Sequence, residues 1–244
     1  MSHFLLVDLG RMRYKPAWDL QLKTIEARSE GRISDVLYFV EHDPVITLGT
    51  KDKWNQLHAT PEEIQSLGID FYKTERGGGA TYHGPGQLVG YPIVDLREMR
   101  GRGLGVADYL VNMEEAILAM CHEFGVNAER RNEFNPDTGK PYRAVWYLEG
   151  GKRHVVCTKG VRVKGGITFH GFALYVNEGE SHFDLINPCG FDPDEVSPIT
   201  MQKILGAKQD MKAVKASVAQ NFRIFFKYGS FEEVPVQEVL EMIS

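Results

Sequence analysis

The run Arg76-Gly77-Gly78-Gly79-Ala80-Thr81-Tyr82-His83-Gly84-Pro85-Gly86-Gln87 places five glycines among polar side chains and leaves no residue over for ordinary core packing. Glycine lets the backbone reach positive φ and approach a ligand closely, so a run of it costs stability that a close backbone contact justifies. Arg76, Thr81, Tyr82, His83 and Gln87 supply donors and acceptors around that bare backbone. A flexible linker would favour Ser and Gly without interspersed Arg, Tyr and His. Apolar, strand-like residues flank the run, Ile69 to Tyr72 before it and Leu88 to Val94 after it, and hold it between two rigid elements. The run also has the wrong order for a phosphate cradle. A Walker loop closes on Gly-Lys-Ser/Thr and a dinucleotide fingerprint opens a helix, whereas these glycines lead into the extended Gln87-Leu88-Val89-Gly90-Tyr91-Pro92-Ile93.

The rest of the chain reads as a mixture of strands and helices. Pro16 followed by Trp18, Leu22 and Ile25, with Ala17, Gln21 and Arg28, predicts a helix with proline in its first turn. Val36 to Val40 and Val45 to Leu48 read as strands separated by Glu41-His42-Asp43-Pro44. Thr60-Pro61-Glu62-Glu63 is a helix start with a capping threonine, and that helix ends by Gly68. Val106 to Phe124 is the longest amphipathic segment and should pack on a sheet. Asn132 to Pro141 reads as a turn-rich surface excursion. Ala144 to Leu148, Val155 to Val163 and Ile167 to Val176 read as successive strands, with Gly150-Gly151 and Gly165-Gly166 as hairpin turns. Val214 to Tyr228 and Val236 to Ile243 are helix candidates. Strand runs with few intervening helices predict an α+β fold, a mixed central sheet flanked by helices, rather than a doubly wound parallel one.

A chain of 244 residues is long enough to bury a sizeable core, and a single domain over 1–244 is expected. The net charge of -5 and the lack of a long basic block argue against nucleic acid as a partner. Met1 to Val7 has no basic leader followed by a long apolar stretch, and no segment reaches the ~18 apolar residues of a membrane span. A soluble, cytoplasmic protein without a membrane partner is expected. Three cysteines, Cys121, Cys157 and Cys189, are too few and too scattered for a disulfide framework or a cysteine zinc site.

Asn187-Pro188-Cys189-Gly190 puts a thiol in a turn, the setting of reactive rather than structural cysteines. Cys121 lies within an amphipathic helix and Cys157 within a strand, both as core residues. His83 ends the first glycine cluster and His170 sits in Thr168-Phe169-His170-Gly171-Phe172, two histidines beside glycine that suit one shared cleft. His3, His42, His58, His122, His154 and His182 read as surface or structural, and no His/Asp/Glu spacing makes a metal site.

Three segments together, Glu41 to Gly49, Arg76 to Gln87, and Gly160-Val161-Arg162 through His170-Gly171-Phe172-Ala173-Leu174 to Pro188-Cys189-Gly190, resemble the octanoyltransferases of lipoate biosynthesis, the LipB family. The match in order and spacing runs from about Glu41 to Gly190, and its most specific string is Arg-Gly-Gly-x-x-Thr-Tyr-His-x-x-Gly-Gln. The resemblance implies the fold shared by biotin and lipoate protein ligases. It implies an acyltransferase that takes octanoyl from octanoyl-acyl carrier protein and delivers it to a lysine of lipoyl domains, those of 2-oxoacid dehydrogenase E2 subunits and of the glycine cleavage H protein. It makes Cys189 the nucleophile and assigns acyl binding to Arg76, Gly77, Gly78, Gly79, Ala80, Thr81, Tyr82 and His83, to Thr158, Lys159 and Gly160, and to Gly171, Phe172 and Ala173. A thiolate accepts an acyl group from a thioester at little thermodynamic cost, so neither ATP nor a cofactor is required.

One position departs from the pattern. The family lysine that lowers the pKa of the catalytic cysteine falls where this chain has Val155, in Val155-Val156-Cys157-Thr158-Lys159-Gly160. Lys159 is the leading substitute, with Lys164 and Lys152 as others and His83 or His170 as alternative cations. An ATP-dependent lipoate or biotin ligase and a non-catalytic binder of acyl carriers or lipoyl domains are the competing readings.

Overall fold

The structure is a computed structural model that describes residues 2–50, 57–130, 144–179, 181–187 and 196–244. Pro188-Cys189-Gly190 and the Asn132 to Pro141 excursion lie outside the described residues.

The elements in chain order are β1 (His3–Met12), α1 (Tyr14–Ser29), β2 (Asp35–His42), β3 (Val45–Leu48), α2 (Pro61–Ser66), β4 (Asp70–Lys73), β5 (Ala80–His83), β6 (Gln87–Ile93), α3 (Leu96–Met99), α4 (Asp108–Glu123), β7 (Glu129–Arg130), β8 (Ala144–Glu149), β9 (Lys152–Lys164), β10 (Ile167–Tyr175), β11 (Val196–Pro198), α5 (Met201–Leu205), α6 (Met211–Phe225), β12 (Ser230–Glu233) and α7 (Val236–Met242). Among the described residues the large sheet has nine strands, in the order β12-β1-β2-β6-β10-β9-β8-β7, with β11 also pairing β9. β1 runs parallel to β12 and β2, and the path from β2 to β7 is antiparallel throughout, so the sheet is mixed as the pattern predicts.

The period of two along each strand distributes the core. Phe4, Leu6, Leu37, Phe39, Phe172 and Leu174 point to one side, where they meet Tyr109, Met113 and Ile117 of α4 and Val214, Val218 and Phe222 of α6. Leu5, Val7, Val36, Tyr38, Phe169 and Ala173 point to the other, against Ala17, Leu20 and Ile25 of α1 and Val239 of α7. A strand buried on both faces reads as an unbroken apolar run rather than an alternation. That is why β1, with Phe4-Leu5-Leu6-Val7, is absent from the sequence-based assignment.

Local signals hold where the physics is local. Thr60 and Glu63 form a reciprocal capping box at the start of α2. Both hairpin glycine pairs have positive φ, 56° and 80° at Gly150 and Gly151, 59° and 87° at Gly165 and Gly166, as a type I′ turn demands. The glycine run itself differs from expectation. Only its two ends are loop, because Ala80-Thr81-Tyr82-His83 forms β5 and pairs antiparallel with Val45-Ile46-Thr47-Leu48 of β3. With β4 these strands make a second sheet, ordered β4-β3-β5, whose core gathers Ile46, Leu48, Ile64, Ile69, Tyr82 and Ile186. α1 also carries more polarity inward than its apolar face predicts: Gln21, Thr24 and Arg28 are buried, while Trp18 and Leu22 are only half-buried.

Candidate functional site

A narrow cleft lies between the two sheets, on the α1 side of the large one. Arg76, Gly78, Gly79, Ala80, Thr81 and His83 form one wall, and Thr158, Lys159 and Gly160 of β9 with His170, Gly171, Phe172 and Ala173 of β10 form the other. Three segments singled out in the sequence therefore converge, and His83 and His170 share the cleft. Gly77 and Tyr82 are not part of the lining. The Gly77 amide donates to the Val161 carbonyl at 3.1 Å, and the Tyr82 ring is buried edge-on to Phe183 at 5.4 Å in the small-sheet core. The sequence reading missed Tyr14 of α1 and Val89 and Tyr91 of β6, which complete the lining. No local motif marks them, since they reach the cleft through packing alone. The enclosed space is about 40 Å³ within an open cleft of about 460 Å³. At ~10–15 Å³ per water-sized sphere this is a slot for something slender.

Backbone sets the width of the slot. An added Cβ at Gly171 would stand 2.0 Å from the Gly90 carbonyl oxygen and 2.7 Å from Pro92 Cδ, so β10 and β6 approach there as only glycine permits. Gly78 has φ +93°, which an L side chain rarely adopts. Arg76 fixes the loop between them: its Nε donates to Thr47 Oγ1 at 3.0 Å, Nη1 to the Gly77 carbonyl at 3.1 Å, and Nη2 to the Thr47 and Gly79 carbonyls at 2.6 and 2.7 Å. These bonds join the Gly77 and Gly79 carbonyls of the loop to Thr47 of β3 through one buried guanidinium, which pins the glycine backbone against that strand.

Three histidines and two tyrosines close the inner end. The His42 Nδ1 faces the Met12 carbonyl at 3.0 Å and must donate to it, so its Nε2 accepts from the Tyr91 hydroxyl at 2.8 Å. His83 Nδ1 donates to Gln87 Oε1 at 3.3 Å. Burial, reinforced by neighbouring His42 and Arg76, pushes His83 down to about 3, and burial pushes His42 down to about 4. His170 is pushed down to about 3 by burial and then by Arg76. All three are neutral near pH 7. For His83 or His170 to pair as a cation with a thiolate, the imidazole would have to take a proton beside the buried Arg76 guanidinium, which disfavours it. His42, read as surface or structural, is a buried member of this group.

His170 has unusual backbone for a strand, φ +54° in the middle of β10, and its amide donates to Gln21 Oε1 at 2.8 Å. Its Nδ1 lies 3.4 Å from the Tyr14 hydroxyl and its Nε2 lies 3.9 Å from Glu75 Oε1.

Lys159 and Val155 lie on opposite faces of the large sheet. Lys159 pairs across with Phe172, which faces α4, and its ammonium forms a buried ion pair with Glu114 of α4, with the Leu110 carbonyl 3.4 Å away. Val155 packs with Trp146, Tyr175 and Val196 on the cleft face, where Phe183 leads toward Asn187. A register shift between Val145 and Trp146, which leaves Val156 without a partner in β8, changes the phase of the alternation between these two positions. Cys121 and Cys157 are both buried on the α4 side, as expected of core residues. Burial pushes the Cys121 thiol up to about 12 and the Cys157 thiol higher still, so neither is a thiolate. Among the described residues no group of His, Cys, Asp and Glu side chains gathers as a metal site, and no helix is long and apolar enough to cross a membrane.

Comparison with known proteins gives this geometry a context. The model of the lipoyl protein ligase A/B catalytic domain matches residues 13–223. An octanoyltransferase of Acidobacterium capsulatum is 40% identical over 228 residues, covering 90% of this chain and 89% of the relative. One from Alkaliphilus metalliredigens is 35% identical, covering 95% and 99% respectively. Among solved structures, a putative lipoate protein ligase of Thermoplasma acidophilum with bound lipoic acid superposes with a TM-score of 0.70 at 18% identity, covering 100% of this chain and 93% of that one. A lipoate-protein ligase A bound with ATP gives 0.69 at 17%, covering 99% and 92%. At such identities these two structures share the fold and nothing more.

Proposed function

The chain belongs to the lipoyl protein ligase A/B catalytic family, and on that premise we propose that its cleft carries an octanoyl group from a carrier-protein thioester to a lysine amine by way of Cys189. Octanoyl transfer in lipoate biosynthesis is its activity, and it is an acyltransferase with lipoyl domains as substrates. The donor in this reading is octanoyl-acyl carrier protein, the acceptors are the lipoyl domains of 2-oxoacid dehydrogenase E2 subunits and the glycine cleavage H protein, and the reaction is taken to run in the cytoplasm. The whole chain, 1–244, serves as one catalytic domain, a reading supported by a family match that spans most of it.

The observation that carries the proposal is the convergence of the Arg76–His83, Thr158–Gly160 and His170–Ala173 segments on one slender, glycine-lined slot. A single alkyl chain needs a narrow apolar groove with few polar contacts. In the first half-reaction the Cys189 thiolate adds to the thioester carbonyl carbon, the C=O pair moves onto oxygen and returns, and the carrier departs as its thiolate. In the second, the lysine amine adds to the same carbon, the bond to Cys189 sulfur breaks, and the ammonium proton is lost to water or to the departing thiolate. The thioester supplies the driving force, so the balance closes without ATP. For Lys159 to stabilise the thiolate, its ammonium has to exchange Glu114 for the sulfur, since the structure pairs it with that carboxylate.

Incubation with octanoyl-carrier protein followed by peptide mass spectrometry tests the route. An octanoyl adduct on the Cys189 peptide, absent in Cys189→Ala together with transfer to a lipoyl domain, is the expected result. Near-normal transfer in Cys189→Ala with loss in Cys157→Ala would overturn the assignment, and labelling that requires ATP would indicate a ligase. A higher pH midpoint for Cys189 alkylation in Lys159→Ala supports the role of that lysine; an unaltered midpoint removes it.

A further inference from the structure

We propose that the turn joining α5 to α6, with Lys203, Lys208 and Lys212, is the surface on which the donor carrier protein docks, through an acidic face of that partner. This inference rests on the functional reading above and gives its donor a place to bind.

The first support is charge. Residues 200–228 carry six lysines and arginines against one acid, Asp210, in a chain whose net charge is -5. Lys203, Lys208 and Lys212 are exposed, and among the described residues none of the three forms an ion pair, whereas their neighbour Lys215 pairs with Asp8 at 2.7 Å. Asp210 is engaged as the N-cap of α6, where its carboxylate accepts from the Lys212 amide at 2.9 Å. The basic groups around Tyr14 differ: Arg11, Arg13 and Lys15 each face an aspartate, Asp43, Asp70 and Asp19. Uncompensated positive charge on a negative protein attracts an acidic partner to one place and orients it there, since the remaining net charge repels that partner.

The second support is place. Histidines and tyrosines close the inner end of the slot, so a donor enters from the other end, past Thr158 of β9 and Ala173 of β10. The α5–α6 turn is fastened to that end of both strands. The Ile199 amide donates to the Val155 carbonyl at 3.0 Å, and the Gln202 amide to the Val176 carbonyl at 2.9 Å. The buried Asn177 holds the turn itself: its Nδ2 donates to the Gln209 carbonyl at 3.0 Å and its Oδ1 accepts from the Gln209 amide at 2.8 Å. A turn fastened in this way presents its lysines without an ordering cost on binding.

The distance selects the donor over the acceptor. Ala173 lines the slot and Asn177 holds the turn, four residues further along extended chain, or ~13 Å at ~3.3 Å per residue. An acceptor lysine carries its amine on four methylenes, so its domain has to sit over the mouth of the slot itself. A carrier protein presents its thioester at the end of a long flexible arm, so its folded body docks at a distance from the slot.

The test measures octanoyl transfer to a lipoyl domain from three donors: octanoyl-carrier protein, octanoyl-4′-phosphopantetheine and octanoyl-pantetheine. It compares the native protein with Lys208→Glu/Lys212→Glu and with Lys208→Gln/Lys212→Gln. The charge reversal should raise KM for octanoyl-carrier protein about 10-fold or more at low ionic strength, and the neutral variant should raise it less. Neither should change kcat, the kinetics with the two small donors, or KM for the lipoyl domain. Native kcat/KM for the carrier should fall as salt rises from about 0.01 to about 0.3 M, and the reversal should flatten that dependence. A native KM for the carrier in both folded variants overturns the inference, while transfer from octanoyl-pantetheine keeps the functional reading intact. A KM raised equally for the carrier and for octanoyl-4′-phosphopantetheine overturns it in favour of the phosphate on the arm. A rise confined to the lipoyl domain overturns it in favour of the acceptor, and an equal loss with all three donors in favour of a structural role. If the reversal does not fold, a native KM in the neutral variant overturns it instead. A native protein that transfers from none of the three overturns the functional reading, and this inference with it.

Discussion

Lowering the pH from about 7.5 to about 5.5 sets the buried histidines against the fold. His42, His83 and His170 are held at about 4, 3 and 3 in the native state, whereas an unfolded histidine titrates near 6.5. Below pH 6.5 the unfolded chain binds protons that the folded chain refuses. Stability from these groups is therefore fully present above pH 6.5 and is lost as pH falls toward 4, where the native histidines begin to protonate. Each histidine should cost the folded state about 1.4 kcal/mol at pH 5.5 relative to pH 7.5, and the three together about 4 kcal/mol. The figure tolerates an error of a unit in any native value, because each stays neutral at pH 5.5 either way. Against a typical total of ~5–15 kcal/mol this is a large fraction. Urea unfolding followed by tryptophan fluorescence, at constant ionic strength and several pH values across this window, should give a slope approaching three protons. His83→Gln should lower that slope by about one proton while also reducing stability at pH 7.5. A flat stability between pH 7.5 and 5.5, or a slope indifferent to His83→Gln, would refute the assignment of buried neutral imidazoles.

Gly171→Ala should destabilise by about 3 kcal/mol or more or prevent folding, because the atom at 2.0 Å is a backbone carbonyl that cannot rotate away; a native melting temperature would show that β10 and β6 are not so closely apposed. At Gly78 a Cβ would meet Arg76 Nη1 at an ordinary 3.4 Å but would not have a permitted φ, so Gly78→Val should weaken acylation more than stability, with ~1–2 kcal/mol of strain at the loop, and unchanged acylation kinetics in a folded variant would remove the loop from the binding surface. Asp35→Ala removes a buried carboxylate that accepts from Arg28 Nε at 2.8 Å, Tyr228 Oη at 2.5 Å and the Asp95 amide at 2.9 Å, with Arg102 Nη1 at 3.6 Å. Two buried guanidinium groups then lose their shared partner at a cost of ~3–5 kcal/mol, and a denaturation loss under 1 kcal/mol would contradict the burial of this network.

Much of the fold was legible because its causes are local. The Thr60–Glu63 box needs four residues, the Gly150-Gly151 and Gly165-Gly166 turns need two each, and the apolar spacing of α4 follows from 3.6 residues per turn. Two of the segments that form the cleft, the Arg76–His83 run and His170-Gly171, were legible for a similar reason, since glycine next to Arg and His advertises a close backbone approach, whereas Thr158–Gly160 was marked only by the family resemblance. β1 and β5 were not read, the first for lack of alternation and the second because its glycine neighbours masked four residues of ordinary strand.

The sequence by itself marked which segments come together at the cleft, through the glycine run, the His170-Gly171 pair and the spacing of their motifs. Tertiary structure alone decided what each polar group can do there. Tyr14 meets His170 across 156 positions of chain, and His42 meets Tyr91 across 49, so neither imidazole's tautomer or charge follows from its neighbours in sequence. The fate of Lys159 is a matter of register: in a strand one residue of phase exchanges the two faces, and the irregularity opposite Val145 and Trp146 puts Val155 on the cleft face and sends the Lys159 ammonium to Glu114 on the other. Sequence spacing states how far apart two residues lie along a strand, but only the pairing with the neighbouring strand states which side of the sheet each one faces.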